Sequence, residues 1–218
     1  MPASANMLDA LPQAQRLALA YARGKERQRL LGFFSLDGRL AGIVRNSHEP
    51  MLAQLRLAWW REQLAGEPAA VPRGEPLLAL LEDWQDERRL LAGLVDGWER
   101  LTGDAPLPPA AFEQFAEARA HAIAALGGED TSTEAAVRMG RNWALADLGS
   151  RLSHPVERET VRSLAFGQDW TQARLPRALK PLAMLHALAR RNHEADQPAH
   201  TLTAASVLAM IRIGLLGR

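Results

Sequence analysis

The sequence predicts an all-α protein, and three observations lead there. Alanine and leucine supply 74 of the 218 residues, against 11 for valine plus isoleucine. Unbranched side chains lose little rotamer freedom in a helix, whereas strands favour branched and aromatic ones. Proline and glycine divide the chain into blocks of helical length. At 47% hydrophobic and 23% charged residues, the composition is that of a folded globular chain. The length suits one domain, taken as residues 1–218.

The first block runs from about Pro12 to Ala22, the second from about Lys25 to Arg45, with apolar Leu30, Leu31, Phe34, Leu36, Leu40 and Val44. Pro50 opens a third, since the first turn of a helix tolerates the missing N–H. In this block, at about 100° per residue, Met51, Leu52, Leu55 and Trp59 share one side while Ala53, Leu57, Trp60 and Leu64 share the other. Two apolar faces predict a helix packed on both sides, with Trp59 and Trp60 as core anchors because a buried indole supplies a large apolar area.

Residues 65–76, rich in proline and glycine, read as a linker-like loop within the domain. Helices are then expected over about 75–86, 87–101, 109–126, 134–152, 156–171, 179–192 and 202–216. Thr131 to Glu134 has capping-box spacing. Glu117 and His121, four apart, are placed to pair along a helix. His186, His193 and His200 recur every seven residues and read as a solvated polar face, not a metal site.

Several function classes fall on composition. Without cysteine there is no disulfide framework, thiolate zinc site or cysteine nucleophile. With 26 basic and 25 acidic residues, the chain is too balanced for a dedicated nucleic-acid binder. No G-x-S-x-G, G-x-G-x-x-G or P-loop is present. The N-terminal MPASANMLDALPQ lacks a basic segment followed by an apolar run, so a cytoplasmic location is expected. The longest apolar stretch, Val207 to Leu216, is shorter than the ~20 residues of a membrane span, which limits it to peripheral membrane contact.

One stretch is more specific. HEPMLAQLRLAWWREQL, His48 to Leu64, resembles the squalene/phytoene synthase family, whose members carry a similar e-p-x-L-x-x-x-R-L-x-W-W-r segment. GFFSLDGRLAGIVR (Gly32 to Arg45) looks like the family's first metal-binding helix, MGRNWALADLGSR (Met139 to Arg151) like its second, and LPRALKPLAMLHAL (Leu175 to Leu188) like its C-terminal segment. The resemblance implies the isoprenoid-synthase fold, a bundle of about 8–10 helices around a central cavity. In active members two aspartate-rich motifs hold Mg²⁺, which neutralises a prenyl diphosphate so that it can leave.

Laid on the first motif, Y-A-F-C-R-x-x-D-D-x-V-D, the chain puts Ala41, Gly42 and Arg45 where the metal carboxylates belong. On the second, L-T-N-I-L-R-D-x-x-x-D, Ser150 replaces the basic residue and Arg151 the aspartate. Asp37 and Asp147 stand as isolated acids in sequence. The resemblance therefore implies a pseudoenzyme, with no catalytic residue, no cofactor and no metal, acting in binding or assembly like the branch that includes the respiratory complex I assembly factor. Partners would then be a protein undergoing assembly, or a prenyl or anionic lipid. The alternative is a prenyl transferase of isoprenoid biosynthesis that uses Mg²⁺ through atypical ligands.

Arg45 and Arg151 would place cations on two facing helices, where a pair of guanidiniums holds a phosphate directly. Arg56 and Arg61 either face the same cavity or pair with carboxylates. Arg45, Arg56 and Arg151 are thus the candidate anion pocket.

Overall fold

A computed structural model describes residues 2–47, 49–65, 75–128 and 134–216. Among them lie eleven α-helices and no strand: α1 (Pro2–Ala10), α2 (Gln13–Leu19), α3 (Gly24–Asn46), α4 (Pro50–Ala65), α5 (Pro76–Leu80), α6 (Arg88–Glu99), α7 (Pro109–Ala124), α8 (Glu134–Gly149), α9 (Pro155–Phe166), α10 (Lys180–Glu194) and α11 (Ala204–Leu216). Most of the linker-like loop and of the capping box, with His48, lies outside the described residues.

Prolines start five of these helices at a position that needs no N–H, as at Pro76, Pro109 and Pro155. Glu75 adds a side-chain cap, accepting the Leu77 N–H at 3.3 Å. The block expected over 75–86 divides into α5 and a 3₁₀ segment, Glu82–Glu87. The block expected to reach Thr171 stops at Phe166. Beyond it Arg138 of α8 donates to the carbonyls of Asp169 and Thr171, at 2.8 and 2.9 Å, and Asn142 to that of Asp169 at 2.7 Å. Side chains of a neighbouring helix take the place of the next helical turn.

The helix enclosed on several sides is α7, which packs against α6, α8, α9 and α3. Its alanines at 116, 120, 122 and 124 are fully buried and let neighbours approach closely. A Cβ added to Gly140 of α8 would stand 3.0 Å from the Ala120 backbone, and one on Gly97 of α6 would stand 2.7 Å from the Ala118 Cβ. One apolar core then runs from Leu11 to Ile213 through most of the helices.

Among the described residues, the two-sided packing expected of α4 does not occur. Ala53, Leu57, Trp60 and Leu64 are buried against α6 and α3. Met51, Leu52 and Leu55 are exposed, and Trp59 keeps 37% of its surface. Trp60 is thus a core anchor, while Trp59 lies edge-on to it at the surface, with ring centroids 5.1 Å apart. Periodicity assigns residues to a face without saying whether anything covers that face. Similarly, His186 is fully buried instead of joining a solvated face. Its Nδ1 lies 3.0 Å from Gln172 Oε1, and its ring stacks on Trp170.

Candidate functional site

The most polar point of the interior is built from three helices. Arg119 projects from α7 with 2% of its side chain exposed, Asp37 from α3 with 5% and Asp147 from α8 with 10%. Arg119 donates to Asp37 Oδ2 from Nε at 3.1 Å and from Nη2 at 2.5 Å, and to Asp147 Oδ2 from Nη1 at 2.9 Å. The remaining oxygens are also engaged. Trp98 of α6 donates its indole N–H to Asp37 Oδ1 at 2.9 Å, and Arg151 donates to Asp147 Oδ1 from Nε and Nη2 at 3.1 and 2.9 Å.

Two carboxylates therefore face two guanidiniums, and no carboxylate oxygen is left without a donor. That complete pairing is what makes buried charge tolerable, because an unpartnered charge in a low-dielectric interior is costly. Burial by itself would lower the pKa of Arg119, but the attraction of Asp37 and then Asp147 outweighs it and leaves the pKa raised. Burial would likewise raise Asp147, and the fields of Arg119 and Arg151 reverse this, holding the carboxyl below its ordinary value. The Arg119 guanidinium also lies 3.9 Å from the Trp143 ring centroid, a cation–π contact that replaces part of the lost hydration.

This network floors an open cavity of about 560 Å³, within the roughly 300–1,000 Å³ usual for small-molecule sites. Met7, Leu11, Phe34, Ile43 and Leu77 give it apolar walls, and Arg39, Arg45, Arg56 and Arg151 stand around it. Five guanidiniums, counting Arg119, meet only two carboxylates in the lining. Arg39 is drawn off by Glu75 at 3.3 Å. Arg45 and Arg56 are exposed and, among the described residues, have no hydrogen-bond or ion-pair partner.

The cavity thus brings together Arg45, Arg56 and Arg151, the three residues of the candidate anion pocket, with Ala41 and Gly42, which the overlay set at the first motif's carboxylate positions. Ser150 does not join them. It lines a separate 430 Å³ pocket, where its hydroxyl donates to the Asp147 carbonyl at 2.8 Å and meets His200 Nδ1 at 3.2 Å. Arg61 faces away as well, paired with Asp96 at 2.5 Å and with Glu99. Trp59 and Trp60 line neither space.

Sequence reading missed Arg119, and it treated Asp37 and Asp147 as isolated when they share one guanidinium. Among the described residues no group of three or more His, Asp or Glu could hold a metal ion. Asp37 and Asp147, on α3 and α8, are instead bridged by the Arg119 guanidinium. No family model, curated protein or solved structure matches the chain. The chemistry of the site therefore rests on its residues: a preformed, positively biased space that can hold an anionic head against apolar walls.

Proposed function

We propose that this chain is a non-catalytic binding protein whose 560 Å³ cavity holds the phosphate head of a prenyl or other anionic lipid. One observation carries the reading. Asp37 and Asp147, each about one helical turn before a position overlaid on the metal-binding motifs of the squalene/phytoene synthase family, are both taken by Arg119, while Arg45 and Arg56 stay available to an anion. A guanidinium pair binds phosphate oxygens without a metal, and the apolar walls suit the first isoprene units.

The likeness to that family supports an isoprenoid-synthase-like fold, and its assembly-factor branch supports a role in assembling a respiratory complex. A cytoplasmic location with peripheral contact at the inner membrane belongs with the same reading. Co-purification of a respiratory subunit with the tagged chain tests the assembly role.

The cavity reading is tested by thermal unfolding with farnesyl diphosphate, in EDTA and in Mg²⁺. At a hundredfold excess over Kd, the transition should rise by about 5–10 °C, equally in both buffers. Arg45→Glu/Arg56→Glu should abolish the shift. No shift, and no lipid retained in native mass spectrometry, would overturn the reading. Product formation above a heat-killed control would instead establish a transferase with atypical metal ligands.

A further inference from the structure

The apolar C-terminal helix and a cationic groove beside it form one surface, distinct from the cavity. Helix α11, AASVLAMIRIGLL, holds a single charged residue, Arg212, and no acid. It buries Ser206, Met210, Ile213 and Gly214, a stripe at helical spacing. Leu208, Leu215 and Leu216 point the other way and are 66%, 66% and 62% exposed. Positions 208 and 215 are seven apart and so lie within about 20° of each other around the helix, with Arg212 between them.

Leu215 and Leu216 also line a groove of about 640 Å³, whose other walls include Arg23, Arg174, Arg177 and Lys180 and no acidic residue. Arg23, Arg174 and Arg177 are exposed and have no ion-pair partner among the described residues. Lys180 is engaged differently. Its ammonium donates to the Gly214 carbonyl at 3.0 Å, which satisfies an end of α11 and places a cation at the negative pole of the helix. Close contact between Gly214 and the Tyr21 ring fixes the same end against the segment that carries Arg23.

We infer that this face docks on an anionic lipid bilayer, with Leu208, Leu215 and Leu216 entering the headgroup boundary while Arg23, Arg174, Arg177 and Arg212 meet lipid phosphates. Charge complementarity selects this occupant: cations from two separate parts of the chain line the groove beside exposed Leu215 and Leu216 with no carboxylate among its lining residues, and Arg212 adds another on α11. A helix with a lipid-facing apolar side and basic flanks lies in the interface plane without crossing it, and no described helix is long and apolar enough to cross. Nucleic acid fits less well, because the groove holds one aromatic ring, Tyr21, already packed against Gly214, and its exposed apolar side chains are leucines. The inference gives the proposed peripheral contact a surface, and it does not depend on what the cavity binds.

Flotation of the full chain with phosphatidylglycerol-containing vesicles, against pure phosphatidylcholine, tests it without any cavity ligand. Binding should require the anionic lipid and weaken with salt. Arg174→Gln/Arg177→Gln should reduce partitioning on the order of thirtyfold, and Leu208→Ser/Leu215→Ser at least tenfold, with both variants unfolding at the wild-type temperature. Equal binding to neutral vesicles, no binding, or full binding by either variant would overturn the inference. So would displacement by soluble glycerophosphoglycerol, which would mark a small-anion site, or a dimer in light scattering that the leucine variant dissociates, which would mark a self-interface. Arg45→Glu/Arg56→Glu should float like wild type, so a failed cavity reading is distinguishable from a failed docking surface.

Discussion

Arg119 and Asp37, 82 positions apart in the chain, meet in the interior through two hydrogen bonds to the same carboxylate oxygen, from Nε at 3.1 Å and from Nη2 at 2.5 Å. Removing one member strands the other's charge. Arg119→Met should therefore destabilise the fold by about 3–5 kcal/mol, measured by urea unfolding at neutral pH. Asp37→Asn/Arg119→Met/Asp147→Asn should recover most of that loss, since neutral groups replace charges together. A loss below about 1 kcal/mol in the single variant would show that the network is not a closed charge unit.

His186 gives the fold a defined acid sensitivity. Burial first, then Arg138 and Arg190, lower its pKa from 6.5 to about 4, against a smaller opposing pull from Asp169. The folded state therefore binds fewer protons than the unfolded chain between those values. Stability from this group is fully present above about pH 6.5 and falls as pH drops towards 4, by on the order of 3 kcal/mol. Urea midpoints between pH 7 and pH 4.5 should fall more steeply in wild type than in His186→Gln. Parallel slopes would assign the acid sensitivity elsewhere.

The tryptophan pair separates burial from adjacency. Trp60 is 3% exposed and Trp59 37%. Trp60→Ala should cost about 3–5 kcal/mol, and Trp59→Ala about 1 kcal/mol. Chemical denaturation of the two variants decides the point, and equal losses would mean that the outer face of α4 is covered.

Two glycines on α6 should respond with opposite sign. A Cβ on Gly97 would stand 2.7 Å from the Ala118 Cβ, whereas one on Gly93 meets nothing within 4 Å. Gly97→Ala should lose roughly 1–3 kcal/mol as α6 and α7 separate. Gly93→Ala should gain about 0.5–1 kcal/mol from better helix propensity. Differential scanning calorimetry reads both.

The helical plan was legible because proline and glycine punctuate it: blocks placed at 25–45, 109–126 and 134–152 correspond to α3, α7 and α8. Residues on one helix were also legible as partners, as with His121 and Glu117 at 2.9 Å. The candidate site was half legible. Its rim arginines could be placed by overlay on motif positions, while its floor depends on Arg119 reaching across 82 and 28 positions, and no spacing rule reports such a pairing. A signal was nonetheless present in FAEARAHAIAA, where one arginine sits among alanines that elsewhere mark close helix packing. The outer stripe of α4 misled for the opposite reason, because apolar periodicity is the same whether or not a neighbour covers it.

The sharing of one guanidinium by α3, α7 and α8 ties three positions together under substitution. Loss of charge at 119 is tolerable only alongside neutral residues at both 37 and 147, so single-step replacement at any of them passes through a crippled intermediate. Across diverged relatives the three columns should change in concert or not at all.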